Sequence, residues 1–396
     1  MSGTGAQPLA VGGLRAVTRR IDLGDDLLDA LGPDGFCWIE HGMGVATAGV
    51  AATVAADDAV ATLAAIPHDT EVAAPGSGPV AVGALPFDPT APAHLTIPAR
   101  VVGRSADGTG WITQIGPALE VLPTPTPRPS RFTVSQRQTR AWWDAAVEDA
   151  LAEFAGGRLD KVVLAREVEV HADTPFDPRA VLRRLRTQQP GCILYADSGF
   201  VGATPELLLR RRGSTFESRP MAGTAPGSVP AEVAIALAAS GKDAREHRYV
   251  VDAVSDALAP VATHLAVPAT PVVEHFGSLA HLVTPIQGEL AVPLDALALA
   301  RALHPTPAVG GTPRAEALAL IARLEPFDRG PYAGPVGWVD AAGDGAFAVA
   351  LRGAELHGDT AVLRAGAGIV AGSDPEAEWA ETAAKLEPML RALVVP

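Results

Sequence analysis

Residues 360–390 read TAVLRAGAGIVAGSDPEAEWAETAAKLEPML. An apolar run of strand composition passes through Gly366, Gly368 and Gly372 and enters a segment with helical periodicity at once. Strand, glycines and helix outline a phosphate cradle, in which backbone amides and a helix N-terminus receive an anion. The dinucleotide fingerprint needs G-x-G-x-x-G, and the spacing here is one residue too long. A doubly wound dinucleotide fold is therefore excluded, and a tight strand-to-helix turn remains. Asp374 suits an N-cap, with Pro375 at the first helical position. Glu378, Glu381 and Lys385 then share one helix face. These carboxylates complement a helix dipole, form an i,i+4 pair with Lys385, or hold a cation, and the segment alone leaves all three open.

Working outward, the flanking segments settle the fold class. YAGPVGWVDAAGDGAFAVALRGAEL predicts a hairpin through Gly343-Asp344-Gly345. KVVLAREVEV predicts a strand, and CILYADSGFVGATPELLLRRRGSTFESRP two or three more in hairpin order. Helices are expected over SQRQTRAWWDAAVEDALAEFAGG, with Trp143, Val147, Leu151 and Phe154 on one face. Others follow at DPRAVLRRLRTQ, KDAREHRYVVDAVSDAL and DALALARALHP. Hairpin runs with intervening helices argue for an α+β fold of large antiparallel sheets with flanking helices. Before residue 130, GFCWIEHG and RVVGRSADGTGWITQIG read as a strand and a hairpin turning at Asp107-Gly108. The stretch from Pro67 to Arg100 reads as loop. PTPTPRPS, 123–130, is a stiff connector, so residues 1–130 are expected as a β-rich N-terminal part and 131–396 as the catalytic region.

Composition narrows the class further. The 396-residue chain is 48% hydrophobic and 19% charged, ordinary for a globular protein. A net charge of −14 without a basic cluster excludes a nucleic-acid partner. Cys37 and Cys192 offer no disulfide framework, there is no signal-peptide pattern, and no apolar run reaches a membrane span of roughly 18 residues. A cytoplasmic enzyme without membrane attachment is expected. Only Lys161, Lys242 and Lys385 are lysines among 31 basic residues. Arginine stays protonated in proteins and cannot replace a lysine that acts as a base.

Lys161 opens a strand, and Glu206 follows a Thr-Pro turn into another. A buried lysine drops its pKa toward neutrality and becomes a base, whereas a glutamate in apolar surroundings stays protonated and becomes an acid. Glu246 heads the apolar stripe Val250, Ala253, Val254, Ala257, where a carboxylate needs a cation or a reach to solvent. Carboxylate donors without paired His or Cys suit Mg²⁺ rather than Zn²⁺.

LDKVVLAR, GATPELLLR, SRPMAGTAPG, KDAREHRYVV, HLVTPIQGEL, LHPTPAVGGTP, LEPFDRGPYAGPVGW, VALRGAEL and AGAGIVAGSDPEAEWAETAAKL occur in this order. Together, over about residues 130–396, they resemble the chorismate-utilising enzymes: the isochorismate, salicylate, anthranilate and aminodeoxychorismate synthases. The resemblance implies their sandwich of large antiparallel sheets. Family members that add ammonia carry glutamine at the position of Lys161, and those that add water carry lysine. The aminodeoxychorismate branch carries a nucleophilic lysine where this chain has Ala222, so that covalent route is excluded. LHPTPAVGGTPRAEA and LEPFDRGPYAGPVGW are most similar to the isochorismate synthases. Gly241 departs from a glutamate common in relatives.

The implied chemistry is a Mg²⁺-dependent isomerisation of chorismate to isochorismate. Lys161 activates water for attack at C2, and Glu206 protonates the departing C4 hydroxyl. Glu246 and Glu381, with Glu378 close by or acting through water, are the implied metal ligands. Substrate contacts are implied for Gly223, Thr224, His281, Ala308, Val309, Arg352, Gly366, Ala367, Gly368 and Lys385. Lys242 is assigned to an ion pair near Asp243 or Glu246. The alternative is a salicylate synthase, and behind it an anthranilate synthase component I. A monomer linked to a downstream isochorismate-using enzyme of siderophore, salicylate or menaquinone synthesis is expected.

Overall fold

The computed structural model describes residues 13–24, 26–116, 128–226, 241–277 and 279–394, without the side chains of 224–226, 242 and 243. Most of the 123–130 connector and the side chains of Thr224 and Lys242 thus lie outside the described residues.

Among the described residues, one hydrogen-bonded sheet of 20 strands dominates, and three more strands form a second sheet. Every pairing is antiparallel except that of Ala16–Ile21 with His68–Thr70. The expected α+β architecture is therefore present. The sheet folds over a core made almost wholly of strand side chains, including Phe36, Trp38, Val80, Val82, Tyr195, Val336, Trp338, Ala346 and Ala348. These occupy alternate positions, as one face of each strand must. The opposite faces bury helices. Trp143, Val147, Val250 and Val254 enter one outer core, and Val181, Leu185, Leu386 and Met389 another.

The central element is the strand Lys161–Ala172, which pairs along its length with Thr360–Val370, from Lys161 opposite Val370 to His171 opposite Thr360. After Val370 the chain turns through a left-handed Gly372 into the helix Pro375–Val394. Asp374 caps it as expected, its carboxylate accepting from the Ala377 amide at 3.0 Å. Trp143 ties the helix Arg140–Ala155 to it by donating to the Pro375 carbonyl and packing edge-on against Trp379.

Strands that precede residue 116 pair with strands far along the chain. Phe36–Glu40 lies beside Ile193–Asp197, and Val80–Ala84 beside Pro335–Asp340. The segment read as loop between Pro67 and Arg100 contains His68–Thr70, Val80–Ala84 and most of His94–Arg104. Its Gly, Pro and Ala content hides the strands. Pro98 is tolerated because the ladder shifts register beside it, between Val50 and Ala52. The helix Arg314–Leu324 was also unmarked in the sequence. In the helix Arg140–Ala155 the buried stripe is Trp143, Ala146, Val147 and Ala150, and Leu151 and Phe154 only flank it.

Candidate active site

Lys161 and Glu206 line one cavity, together with Glu246, Glu381, Lys385, His281 and Arg352. The folding of each element explains its arrival. Lys161, at the first position of its strand, is flanked by Thr312 on one side and Val370 on the other. Glu206 follows Pro205 at the bend between Phe200–Thr204 and Leu207–Arg212. That bend is fastened by Thr204, whose hydroxyl donates to Val349 O at 2.6 Å, and by the Val349 amide donating to Glu206 O at 3.0 Å. Glu246 turns inward on the helix Gly241–Leu258, one and two helical steps ahead of the buried Val250 and Val254.

The electrostatics shift both groups toward their neutral forms. Lys161 is 2% exposed, and its burial lowers the amine pKa, with Lys385 acting in the same direction against Glu246, Glu381 and Glu206. Its Nζ lies 3.8 Å from Glu246 Oε2. Burial also pushes Glu206 up to about 8, against Lys161, Lys385 and Arg352. An amine shifted toward its neutral form and a protonated carboxylic acid in one cavity suit the roles of base and acid.

Gly368 lies under this cluster. A Cβ there would stand 3.1 Å from Lys161 Cε and 3.3 Å from Glu246 Oε2. Both side chains thus converge over this position, and a Cβ there would push them by a few tenths of an ångström. Gly366 and Gly368 line the cavity, whereas Ala367, between them, points into the apolar core. Strand alternation separates the three residues that the sequence grouped as substrate contacts.

Arg352, His281 and Gly223 form a chain. His281 Nδ1 donates to Gly223 O at 3.0 Å, which leaves Nε2 to accept from Arg352 Nη2 at 3.3 Å. Burial, then Arg352 and Lys385, pushes His281 down to about 3, so the ring is neutral. Gly223 carries a left-handed φ of 74° where the pairing of Met221–Pro226 shifts register, and that bulge turns its carbonyl toward His281. Arg352 itself adopts a left-handed φ of 51°, uncommon for a side-chain-bearing residue and a frequent mark of functional sites.

Ala308 and Val309 form part of the cavity wall. Lys385 Nζ donates to Gly366 O at 2.9 Å and pairs with Glu381 at 2.6 Å. Glu378 is buried and accepts from the Ser373 hydroxyl at 2.7 Å, and the cavity lining does not include it. Among the described residues no three His, Cys, Asp or Glu side chains form a metal-binding group. Glu246 and Glu381 alone present carboxylates to the cavity beside Glu206, a donor set that fits a Mg²⁺ whose other ligands are water and substrate oxygens.

Sequence reasoning missed Arg329, Tyr332, Arg364 and Met221 as lining residues. Arg364 was within reach, because it alternates with Gly366 and Gly368 along one strand. Arg329 and Tyr332 sit in an irregular segment, which has no period to expose them.

The pattern of the family described as chorismate binding enzyme matches residues 112–394. MenF of Mycobacterium tuberculosis is 42% identical over 338 residues, covering 81% of this chain and 88% of the relative. Isochorismate synthase EntC of Escherichia coli is 39% identical over 324 residues, covering 79% and 80%. The solved structure of MenF, the menaquinone-specific isochorismate synthase of Escherichia coli, superposes with a TM-score of 0.83 at 27% identity, covering 96% of this chain and 95% of that one. With a family pattern across most of the chain, and relatives this similar over four fifths of it, the protein belongs to the chorismate binding enzyme family.

Proposed function

We propose that the protein is an isochorismate synthase, a Mg²⁺-dependent isomerase that converts chorismate to isochorismate. The observation that carries the reading is the meeting of Lys161 and Glu206 in one cavity, the amine pKa lowered and the carboxyl pKa raised to about 8. The isochorismate synthases among its relatives support it.

Lys161, as the free amine, takes a proton from a water molecule, and that oxygen forms a bond to C2 of the ring. The ring double bonds shift, the C4–O bond breaks, and Glu206 supplies the proton with which that oxygen leaves as water. One water enters and one departs, so the reaction is an isomerisation. Arg352 offers a forked donor to a substrate carboxylate, and neutral His281, held by Gly223, is fixed in orientation beside it. Lys385, with the backbone at Gly366, Gly368 and the Gly223–Thr224 bulge, completes the anion contacts. Ala308 and Val309 shape the wall. Glu246 and Glu381 would hold Mg²⁺, with Glu378 acting from behind through Ser373 and solvent. When bound, the ion neutralises the ring carboxylate and lets these acidic side chains face an anionic substrate.

The reading extends to a cytoplasmic monomer in which residues 1–130 are the divergent β-rich part of one fold, with its product passing to an isochorismate-using enzyme. Incubation with chorismate and Mg²⁺ tests the activity, with isochorismate as the expected product. Salicylate with pyruvate release, or a requirement for ammonia or glutamine, would overturn it. Size-exclusion chromatography with light scattering checks the monomer.

A further inference from the structure

We propose that the buried ion pair Glu325–Arg329 is a positioning device. It fills a gap in the sheet and holds the strand that carries Lys161 at a set distance from the cavity wall at Val309. One edge of the strand Lys161–Ala172 is paired throughout by Thr360–Val370. The other edge is paired at Lys161 and Val162 by Gly311–Thr312, and again from Val168 onward by Phe132–Gln136. Between these no strand covers it among the described residues. An uncovered edge of buried backbone needs other partners for its polar groups.

Backbone still reaches its two ends, where the Val163 amide donates to Gly310 O and Glu167 O accepts from the Arg137 amide, and side chains supply the rest at every second residue. Val163 O accepts from Arg329 Nη2 at 2.7 Å, the Ala165 amide donates to Glu325 Oε1 at 2.8 Å, and the Glu167 amide donates to Gln138 Oε1 at 2.7 Å. Glu325 and Arg329 therefore stand in for a missing strand. The guanidinium does a second thing. Its Nη1 donates to Val309 O at 2.9 Å while Nε and Nη2 donate to Glu325 at 2.8 and 2.6 Å. One rigid fork thus spans from Val163, two residues beyond Lys161, to Val309 in the opposing wall. Val163, Val309 and Arg329 all line the active cavity.

The pair is almost wholly enclosed, with side chains 2% and 1% exposed. Phe87 covers the guanidinium at 4.2 Å, and its amide donates to Gly330 O at 2.8 Å. Enclosed ion pairs are weak sources of stability, but a fully hydrogen-bonded one specifies geometry. A lysine cannot imitate it, because one ammonium cannot reach Val163 O, Val309 O and both Glu325 oxygens.

The rate test rests on the proposed isomerase activity, and a second readout does not. In a folded Arg329→Lys variant, kcat falls by about 10²-fold while KM stays within about threefold, as expected when a catalytic group shifts by an ångström. The Ala165 amide, followed by hydrogen exchange, loses protection. In Arg329→Ala, millimolar guanidinium restores part of kcat. Should Arg329→Lys fail to fold, Glu325→Leu gives the same two readings, since it removes both the acceptor of the Ala165 amide and the partner of the guanidinium. Wild-type kcat in a folded variant overturns the inference, as does a loss confined to KM. A wild-type protein inert toward chorismate overturns the functional reading instead, and unchanged Ala165 exchange in the variants would then overturn this one by itself.

Discussion

Glu206 is the residue whose environment makes the strongest demand. The folded protein holds its proton up to about pH 8, whereas the free carboxyl loses it near 4.5. Between those values the unfolded state releases a proton that the folded state keeps, so this group lowers stability as pH rises, fully so above 8. Glu206→Gln is therefore expected to abolish turnover and raise stability at pH 8 by about 1–4 kcal/mol, read as a higher melting temperature. A lower melting temperature at pH 8 would contradict the burial argument. Lys161 has the opposite shift, its amine made easier to deprotonate by burial and then by Lys385. Activity should gain with the deprotonation of Lys161, at a pH below that of an ordinary lysine, and fall as Glu206 ionises near 8. A kcat/KM profile flat from pH 7 to 9.5 would count against these roles.

At the scale of elements, glycines decide how closely strands and side chains approach. Gly368 has an ordinary backbone conformation, and the atoms nearest to a methyl group there belong to Lys161 and Glu246. Gly368→Ala should leave the melting temperature within a few degrees and reduce kcat by about 10–100-fold through displaced side chains. A crystal structure of the variant with Lys161 unmoved would sink this account. Gly353 makes a different demand, since its added Cβ would lie 2.2 Å from the Tyr195 hydroxyl, which donates to Leu351 O beside Arg352. Gly353→Ala is expected to destabilise the protein by about 1–3 kcal/mol, measured by denaturant unfolding.

For the molecule as a whole, the long-range pairings matter most. Phe36–Glu40 and Val80–Ala84 each pair along one edge with a strand that lies beyond residue 190. A fragment of residues 128–396 would expose those edges and the apolar residues beneath them, including Ile193, Tyr195, Val336 and Trp338. Such a fragment should aggregate or stay unfolded, which light scattering and circular dichroism would reveal. A soluble, cooperatively folding fragment would show that the N-terminal strands are dispensable. No described helix is long and apolar enough to cross a membrane.

Local chemistry made much of this protein readable without coordinates. The Asp374-Pro375 helix start, the Gly343–Gly345 hairpin turn and the strand Thr360–Val370 depend on neighbours in sequence, and all three occur as expected. The scarcity of lysine singled out Lys161 before its surroundings were visible. The site could be read only as far as its motifs reached. That Lys161 and Glu206 share one enclosure, and that Ala367 turns away while Gly366 and Gly368 face the cavity, were decided by packing across the chain. So was Arg329, whose partners are 20 and 166 residues distant. Turns, caps and periods are short-range properties and leave their mark in the sequence. Burial, and the pKa shifts it drives, arise from segments far apart in the chain, so only the tertiary structure could decide them.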